Sequence, residues 1–178
     1  LAQALDGEIV SADARQVYRH MDIGTAKPTV DEQRQARHHL IDVVSPDEDY
    51  SAGRFACEAQ SAIQDILARA KRPIVVGGSG LYIRALVDGF SAMPESPSEV
   101  RARIAAEAEA GPQGLYERLM AIDPKTAERL HPNDRQRILR GLEVFEASGE
   151  RLSALQARPP ANPMPWPSRF FGLEWPRD

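Results

Sequence analysis

The segment RPIVVGGSGLYIRALVDG, residues 72–89, constrains the fold more than any other part of the chain. Pro73 to Val76 is a short, continuous apolar run of the kind that parallel sheets bury on both faces. Gly77 and Gly78 then break it, and Leu81 onward has helical spacing, so strand passes directly into helix. Earlier in the chain, Glu8 to Ala12 is also short, apolar and β-compatible, after LAQALDG, which reads as the last turns of a helix closing on Gly7. His39 to Val44 is a further apolar run. Ser51 is a candidate N-cap for a helix reaching about Ala70, with Phe55, Ala59, Ile63, Ile66 and Leu67 on one face. The alternation predicts an open α/β sheet.

After Gly89 the pattern changes. SAMPESPSEV is a Pro/Ser-rich connector, and from Val100 to about Leu155 only helical periodicity is found. Three or four short helices are expected, near 99–110, 114–122, 124–130 and 133–148, separated by Gly111-Pro112, Asp123-Pro124 and His131-Pro132. ARPPANPMPWPS favours neither regular structure, and Arg169 to Glu174 returns to a strand pattern. The expected organisation is an α/β core over 1–92, a helical insertion over 93–160, and a return to the core over 161–178. No internal repeat is found.

Composition excludes several classes of function. With 42% hydrophobic and 27% charged residues the chain is of globular type, and no apolar run approaches the roughly 20 residues of a membrane span. A net charge of −4 gives no general attraction for nucleic acid, so any RNA contact requires a local basic face. Cys57 is the single cysteine, which excludes an internal disulfide and a CxxC zinc site and suits a reducing cytoplasm. LAQALDG does not match a signal peptide. The chain reads as a fragment, starting inside a helix and ending just after a strand.

Chemistry concentrates in SADARQVYRHMDIGTAKP, where Asp13, Arg15, Gln16, Tyr18, Asp22, Thr25 and Lys27 crowd one loop. An aspartate at the carboxyl end of a strand faces the crevice in which open α/β folds bind ligands, so Asp13 is placed to take a proton or hold a metal-bound water; a turn-stabilising cap is the competing reading. Gln16 suits the edge of a base and Arg15 a phosphate, against plain surface roles for both. GGSG lets backbone approach a ligand at a helix N-terminus, where Ser79 could bind an anion, although a Gly pair is also an ordinary strand-to-helix turn. HPNDRQRILRGLEVF puts Arg135, Arg137 and Arg140 near a helix start, with Ile138, Leu142 and Phe145 on the other face; Arg101, Arg103 and Arg118 add cations nearby. Salt bridges to Glu143 and Glu146 are the alternative use of those charges. His38 and His39, adjacent in an extended segment, point to opposite faces, and no metal is assigned to them. No G-x-x-x-x-G-K-[S/T] loop occurs in the sequence.

Together, SADARQVYRHMDIGTAKPT, HHLIDV, GGSGLYIRAL and HPNDRQRILRGLEVF resemble the tRNA dimethylallyltransferase (tRNA isopentenyltransferase) family of bacterial type, in the same order and at similar intervals. MDIGTAKP and HPND are the specific signatures. The resemblance implies a P-loop-NTPase-like parallel α/β core with an inserted α-helical subdomain, truncated here at both ends. It implies transfer of the dimethylallyl group of dimethylallyl diphosphate to the exocyclic N6 amine of the adenosine 3′-adjacent to the anticodon, with Mg²⁺ helping diphosphate leave. By resemblance Asp13 is the base, and Ser79 and Arg101 are donors to the diphosphate. Asp13, Ala14, Arg15 and Gln16 match one tRNA-contacting stretch, and Gln136, Arg137, Ile138, Leu139 and Arg140 match a second. Ala14 stands where many members have Ser, and Ser79 where many have Thr. The expected partners are the tRNA anticodon stem-loop and dimethylallyl diphosphate, with no membrane, for a monomer in the cytoplasm. Lacking the phosphate loop, the fragment alone is expected to be inactive. The alternatives are an adenylate isopentenyltransferase, a non-catalytic RNA-binding remnant and, more remotely, a P-loop kinase.

Overall fold

A computed structural model describes residues 1–89, 91 and 93–174. The chain divides into two compact units, Leu1–Phe90 with Asn162–Asp178, and Ser91–Ala161.

In the first unit, β1 (Gly7–Ser11), β2 (His38–His39) and β3 (Arg72–Val76) form a three-stranded sheet in the order β2-β1-β3. Both pairings are parallel, with Ile9 opposite His38 and Ile74. Three helices accompany the sheet: α1 (Val30–Gln35), α2 (Ala52–Ala68) and α3 (Gly80–Val87). The Ser51 side chain caps α2 by accepting from the Arg54 amide. Phe55, Ala59, Ile63 and Ile66 of α2 are buried with Val10, Val17, Val44, Tyr82 and Leu86. Phe55 stacks on Tyr82 with ring centroids 4.5 Å apart. The α/β class expected from the alternation is the one found.

Several local expectations are corrected. The Leu1 to Gly7 stretch is a 3₁₀ turn, Gln3–Leu5, and its left-handed closing residue is Asp6 at φ 46°. Gly7 instead opens β1, where a Cβ would stand 2.6 Å from the Arg72 carbonyl oxygen. The run His39 to Val44 joins the sheet only at its start, because Leu40 and Asp42 take left-handed φ values of 62° and 55° that no strand accommodates, and at its end Val44 makes an isolated parallel bridge to Tyr18. β3 is not buried on both faces: it is an edge strand among the described residues, and Val76 is 51% exposed. Leu67 lies off the buried face of α2. Residues 169–174 form no strand; a period-2 pattern needs a partner to pair with, and Phe170, Phe171 and Leu173 are instead exposed. Helix α1 was not among the expected elements, although its capping box, with Thr29 accepting from the Glu32 amide and Glu32 from the Thr29 amide, is written in the sequence as T-x-x-E.

The second unit is helical: α4 (Ser98–Ala110), α5 (Pro112–Ile122), α6 (Pro124–Ala127), α7 (Arg135–Ser148) and α8 (Leu152–Gln156). Pro112 and Pro124 open their helices, where a missing amide costs nothing. Ile104, Leu115, Leu119, Ile138 and Leu142 form the core. At Gly141 a Cβ would lie 2.8 Å from Leu119 Cδ1, so the glycine sets how closely α5 approaches α7. Asp123 is 1% exposed, caps α6 through the Thr126 amide and holds α8 through the Ser153 amide and hydroxyl. No helix among the described residues is long and apolar enough to cross a membrane.

Candidate active site

Two loops meet at the carboxyl ends of β1 and β3. The Ala12 amide continues the ladder to the Val76 carbonyl at 2.7 Å, and Asp13 is the next residue. Its Oδ1 accepts from the Arg15 amide at 2.7 Å and the Gln16 amide at 3.2 Å. This is a turn-stabilising aspartate, as the competing reading has it, yet among the described residues only one carboxylate oxygen is used. Asp13 therefore can hold its own turn and keep Oδ2 for a ligand.

The GGSG turn is stitched to this loop. The Ser79 amide donates to the Ala12 carbonyl at 3.2 Å, and the Ser79 hydroxyl oxygen accepts from the Ala14 amide at 2.8 Å. An accepting hydroxyl retains its own proton to donate. Ser79 precedes α3 as its cap residue but makes no cap bond with its side chain, which is spent on Ala14. The glycines divide their work. A Cβ on Gly77 would lie 2.2 Å from the Ala12 carbonyl oxygen, so that position serves the approach of β1 rather than a ligand; Cβ atoms on Gly78 and Gly80 would meet nothing within 4 Å.

Behind Asp13 the loop is held by its own side chains. Gln16 Oε1 accepts from the Ser11 hydroxyl at 3.0 Å, and its Nε2 donates to the carbonyls of Thr25 and Ala26 at 3.2 and 3.0 Å. Lys27 Nζ donates to the Tyr18 carbonyl, Asp22 Oδ1 and Asp42 Oδ1 at 2.8, 2.7 and 2.6 Å, and its side chain is 4% exposed. Burial alone would lower the Lys27 pKa, but the hydrogen bonds and charges of Asp22 and Asp42 prevail and hold it above the ordinary lysine value. Arg19 donates to the carbonyls of Asp42 and Val43. Ala14 and Arg15 are exposed.

Lys27 and Asp42 are the residues whose roles sequence reasoning missed. The available signal was a charge inside an apolar run: Asp42 interrupts HHLIDVV, and a half-buried carboxylate there needs a partner. A second charged cluster lies at the opposite end of β1. Buried Glu8 meets His39 and Arg69, each at 2.7 Å. Burial pushes the Glu8 carboxyl up, and these two partners more than reverse it, leaving it below the usual carboxylate value. Among the described residues no group of three or more His, Cys, Asp or Glu is placed to hold a metal.

In the helical unit, Arg101 of α4 and Arg140 of α7 converge on Ser96: Arg101 Nε donates to its carbonyl at 3.2 Å, and Arg140 Nη1 to its hydroxyl at 3.2 Å. Arg140 also lies 3.8 Å from Glu143. Arg137 pairs with Asp134 one turn back, Arg135 with Glu109, and Arg103 and Arg118 with Glu146. Gln136 and Arg137 are exposed, whereas Ile138 is 3% exposed and Leu139 packs partly against the core. Ile138 thus belongs to the packed side of α7. A cleft of about 510 Å³ beside it is lined by Leu115, Tyr116, Asn133 and Arg135 among others.

A family model described as IPP transferase matches residues 16–178. A tRNA dimethylallyltransferase 1 of Syntrophotalea carbinolica is 52% identical over 179 aligned positions, covering 100% of this chain and 57% of that protein. A tRNA dimethylallyltransferase of Stenotrophomonas maltophilia is 51% identical, covering 93% of this chain and 52% of its own length. The chain thus spans about half the length of the curated relatives it matches. Among solved structures, crystallographic snapshots of a eukaryotic dimethylallyltransferase acting on tRNA superpose with a TM-score of 0.71 at 33% identity, covering 86% of this chain and 38% of that one. The full-length tRNA isopentenylpyrophosphate transferase of Bacillus halodurans gives 0.50 at 40% identity, covering 84% and 50%. The likeness agrees with a P-loop-like α/β core.

Proposed function

The chain belongs to the IPP transferase family, and from that premise we propose that it forms part of a tRNA dimethylallyltransferase acting on the adenosine 3′-adjacent to the anticodon. The observation that carries this reading is Asp13, set at the end of β1 with one carboxylate oxygen holding its turn and Ser79 bonded to the adjacent amide. In the reaction, the bond between dimethylallyl C1 and the diphosphate oxygen breaks, and a bond forms from C1 to adenine N6. N6 loses a proton. An aromatic amine is a poor nucleophile because its lone pair is delocalised into the ring, so a carboxylate at that proton lowers the barrier. Asp13 Oδ2 is the group in this chain suited to receive it.

The departing diphosphate carries the negative charge. The Ser79 hydroxyl, which accepts from Ala14 and keeps its proton, suits a diphosphate oxygen. Mg²⁺ would supply charge neutralisation when it travels with the diphosphate; among the described residues no group of three or more His, Cys, Asp or Glu is placed to hold it. For tRNA, the exposed Arg15, Gln136 and Arg137, together with Arg140, are the donors suited to phosphates. The target base must leave its stack to reach Asp13. The single, exposed Cys57 suits a reducing compartment such as the cytoplasm.

The deciding experiment offers labelled dimethylallyl diphosphate to a protein of full family length carrying this chain, with an anticodon stem-loop or AMP as acceptor. Transfer to the stem-loop and not to AMP is expected. Transfer to AMP would make it an adenylate isopentenyltransferase, and stem-loop binding without transfer would leave an RNA-binding protein.

A further inference from the structure

The geometry points to Lys27 as a positioning residue for Asp13, closing a ring of hydrogen bonds that fixes the direction of the reacting carboxylate; this rests on the prenyl-transfer reading above. The ring can be followed bond by bond. Asp13 Oδ1 is held by the Gln16 amide. The Gln16 side chain reaches forward to the carbonyls of Thr25 and Ala26, the two residues before Lys27. Lys27 Nζ binds Asp42 Oδ1, and the Asp42 amide returns to the Gln16 carbonyl at 3.1 Å. Gln16 is therefore gripped at its backbone and its side chain, and both grips depend on where Lys27 lies.

Three observations separate this arrangement from an ordinary surface ion pair. The Lys27 side chain is 4% exposed, although its stem would reach solvent easily. All three of its donors are used, on one carbonyl and two carboxylates. Ala26, the residue before the lysine, and Asp42, which the lysine binds, both adopt left-handed φ, 51° and 55°, a conformation uncommon for residues with a Cβ and costly above all for Ala26. The clamp enforces an unfavourable local backbone, and what that backbone carries is the pair of carbonyls gripping Gln16. A general base displaced by a fraction of an ångström loses much of its effect, so rigidity here has catalytic value.

The test replaces Lys27 with methionine, which keeps the stem and removes the cation, in a protein of full family length. We expect kcat to fall about a hundredfold with KM for either substrate within about twofold, because binding groups are untouched while the base is misaligned. Amide exchange supplies a readout independent of turnover. The Arg15 and Gln16 amides, bonded to Asp13, should exchange at least ~10 times faster, with the amides of Ile9 in β1 and Ala12 just after it unchanged. Wild-type kcat and wild-type exchange at Arg15 and Gln16 would overturn the proposal. If β1 also loses protection, Asp42→Asn decides instead. It keeps a carbonyl oxygen for Nζ and removes the charge, and it should show the same pattern at roughly a tenth of the wild-type kcat; wild-type behaviour there overturns the proposal as well. Retained turnover in Asp13→Ala would refute the base assignment while the exchange result still reported on the clamp, so the two failures remain distinct.

Discussion

In the loop after β1, Lys27 is 4% exposed and binds one carbonyl and two carboxylates, whereas on α7 Arg137 is 73% exposed and holds a carboxylate one turn back. Both regions are dense in charge, and the difference lies in what the backbone needs. An irregular loop has no ladder to satisfy its amides and carbonyls, so side chains do it, and cations there become internal fixtures. A helix bonds its own backbone, and its arginines, themselves exposed, pair with carboxylates in contacts worth about 0–1 kcal/mol. Such pairs exchange readily for other anions. The loop is therefore built to hold a geometry, and α7 is built to offer charge.

The largest effect that would break this contrast comes from Gly77→Ala. Its Cβ would lie 2.2 Å from the Ala12 carbonyl oxygen, forcing apart the two strand ends on which Asp13 and Ser79 ride. We expect turnover to fall by a factor on the order of 100 and stability by about 2–4 kcal/mol, read from stem-loop transfer and urea unfolding. Gly78→Ala, which meets nothing within 4 Å, is the control. A harmless Gly77→Ala would mean that the loop is not rigid.

Arg137→Gln and Arg140→Gln probe the other side. Each should weaken stem-loop binding with turnover at saturation preserved, and lower the slope of log affinity against log salt by about 1. Unequal effects would sharpen the picture, because Arg140 is anchored on Ser96 while Arg137 is paired only with Asp134 among the described contacts.

The smallest effect is on pH. Glu8 in the α/β unit and Asp123 in the helical unit both have folded pKa values below their ordinary 4.5 and 3.8. For Asp123, as for Glu8, burial raises the value and hydrogen bonds, here from Ser153 and Thr126, more than reverse it. A group with a depressed folded pKa contributes stability that is present above its unfolded value and lost as pH falls through the folded one. The urea midpoint should therefore fall progressively below about pH 4.5, and Glu8→Gln and Asp123→Asn should each flatten that acid limb. An unchanged limb in either variant would show that its carboxylate is not held as described.

How far the sequence carried this account depends on whether the relevant signal is local. The Ser51 cap, the Gly77-Gly78 turn and the position of Asp13 after β1 depend on neighbours along the chain, and the structure has them where the pattern puts them. The Thr29–Glu32 capping box was equally local, and α1 was legible through it. Lys27 with Asp42 was not, because their meeting depends on several left-handed residues whose φ no propensity indicates. The pattern RFFGLE names a strand without saying what it would pair with, which is why residues 169–174 depart from expectation. On α7 the expected packing positions Ile138 and Leu142 are buried, whereas Phe145 is only half-buried and Val144 is buried instead.

The most direct test of the central claim, that Asp13 takes the N6 proton, is single-turnover transfer of labelled dimethylallyl groups to an anticodon stem-loop by Asp13→Ala, with stem-loop affinity measured alongside. The account predicts a rate at least ~10³ times slower, near the upper range for loss of a general base, with affinity within about threefold of wild type. A wild-type rate at wild-type affinity would contradict it.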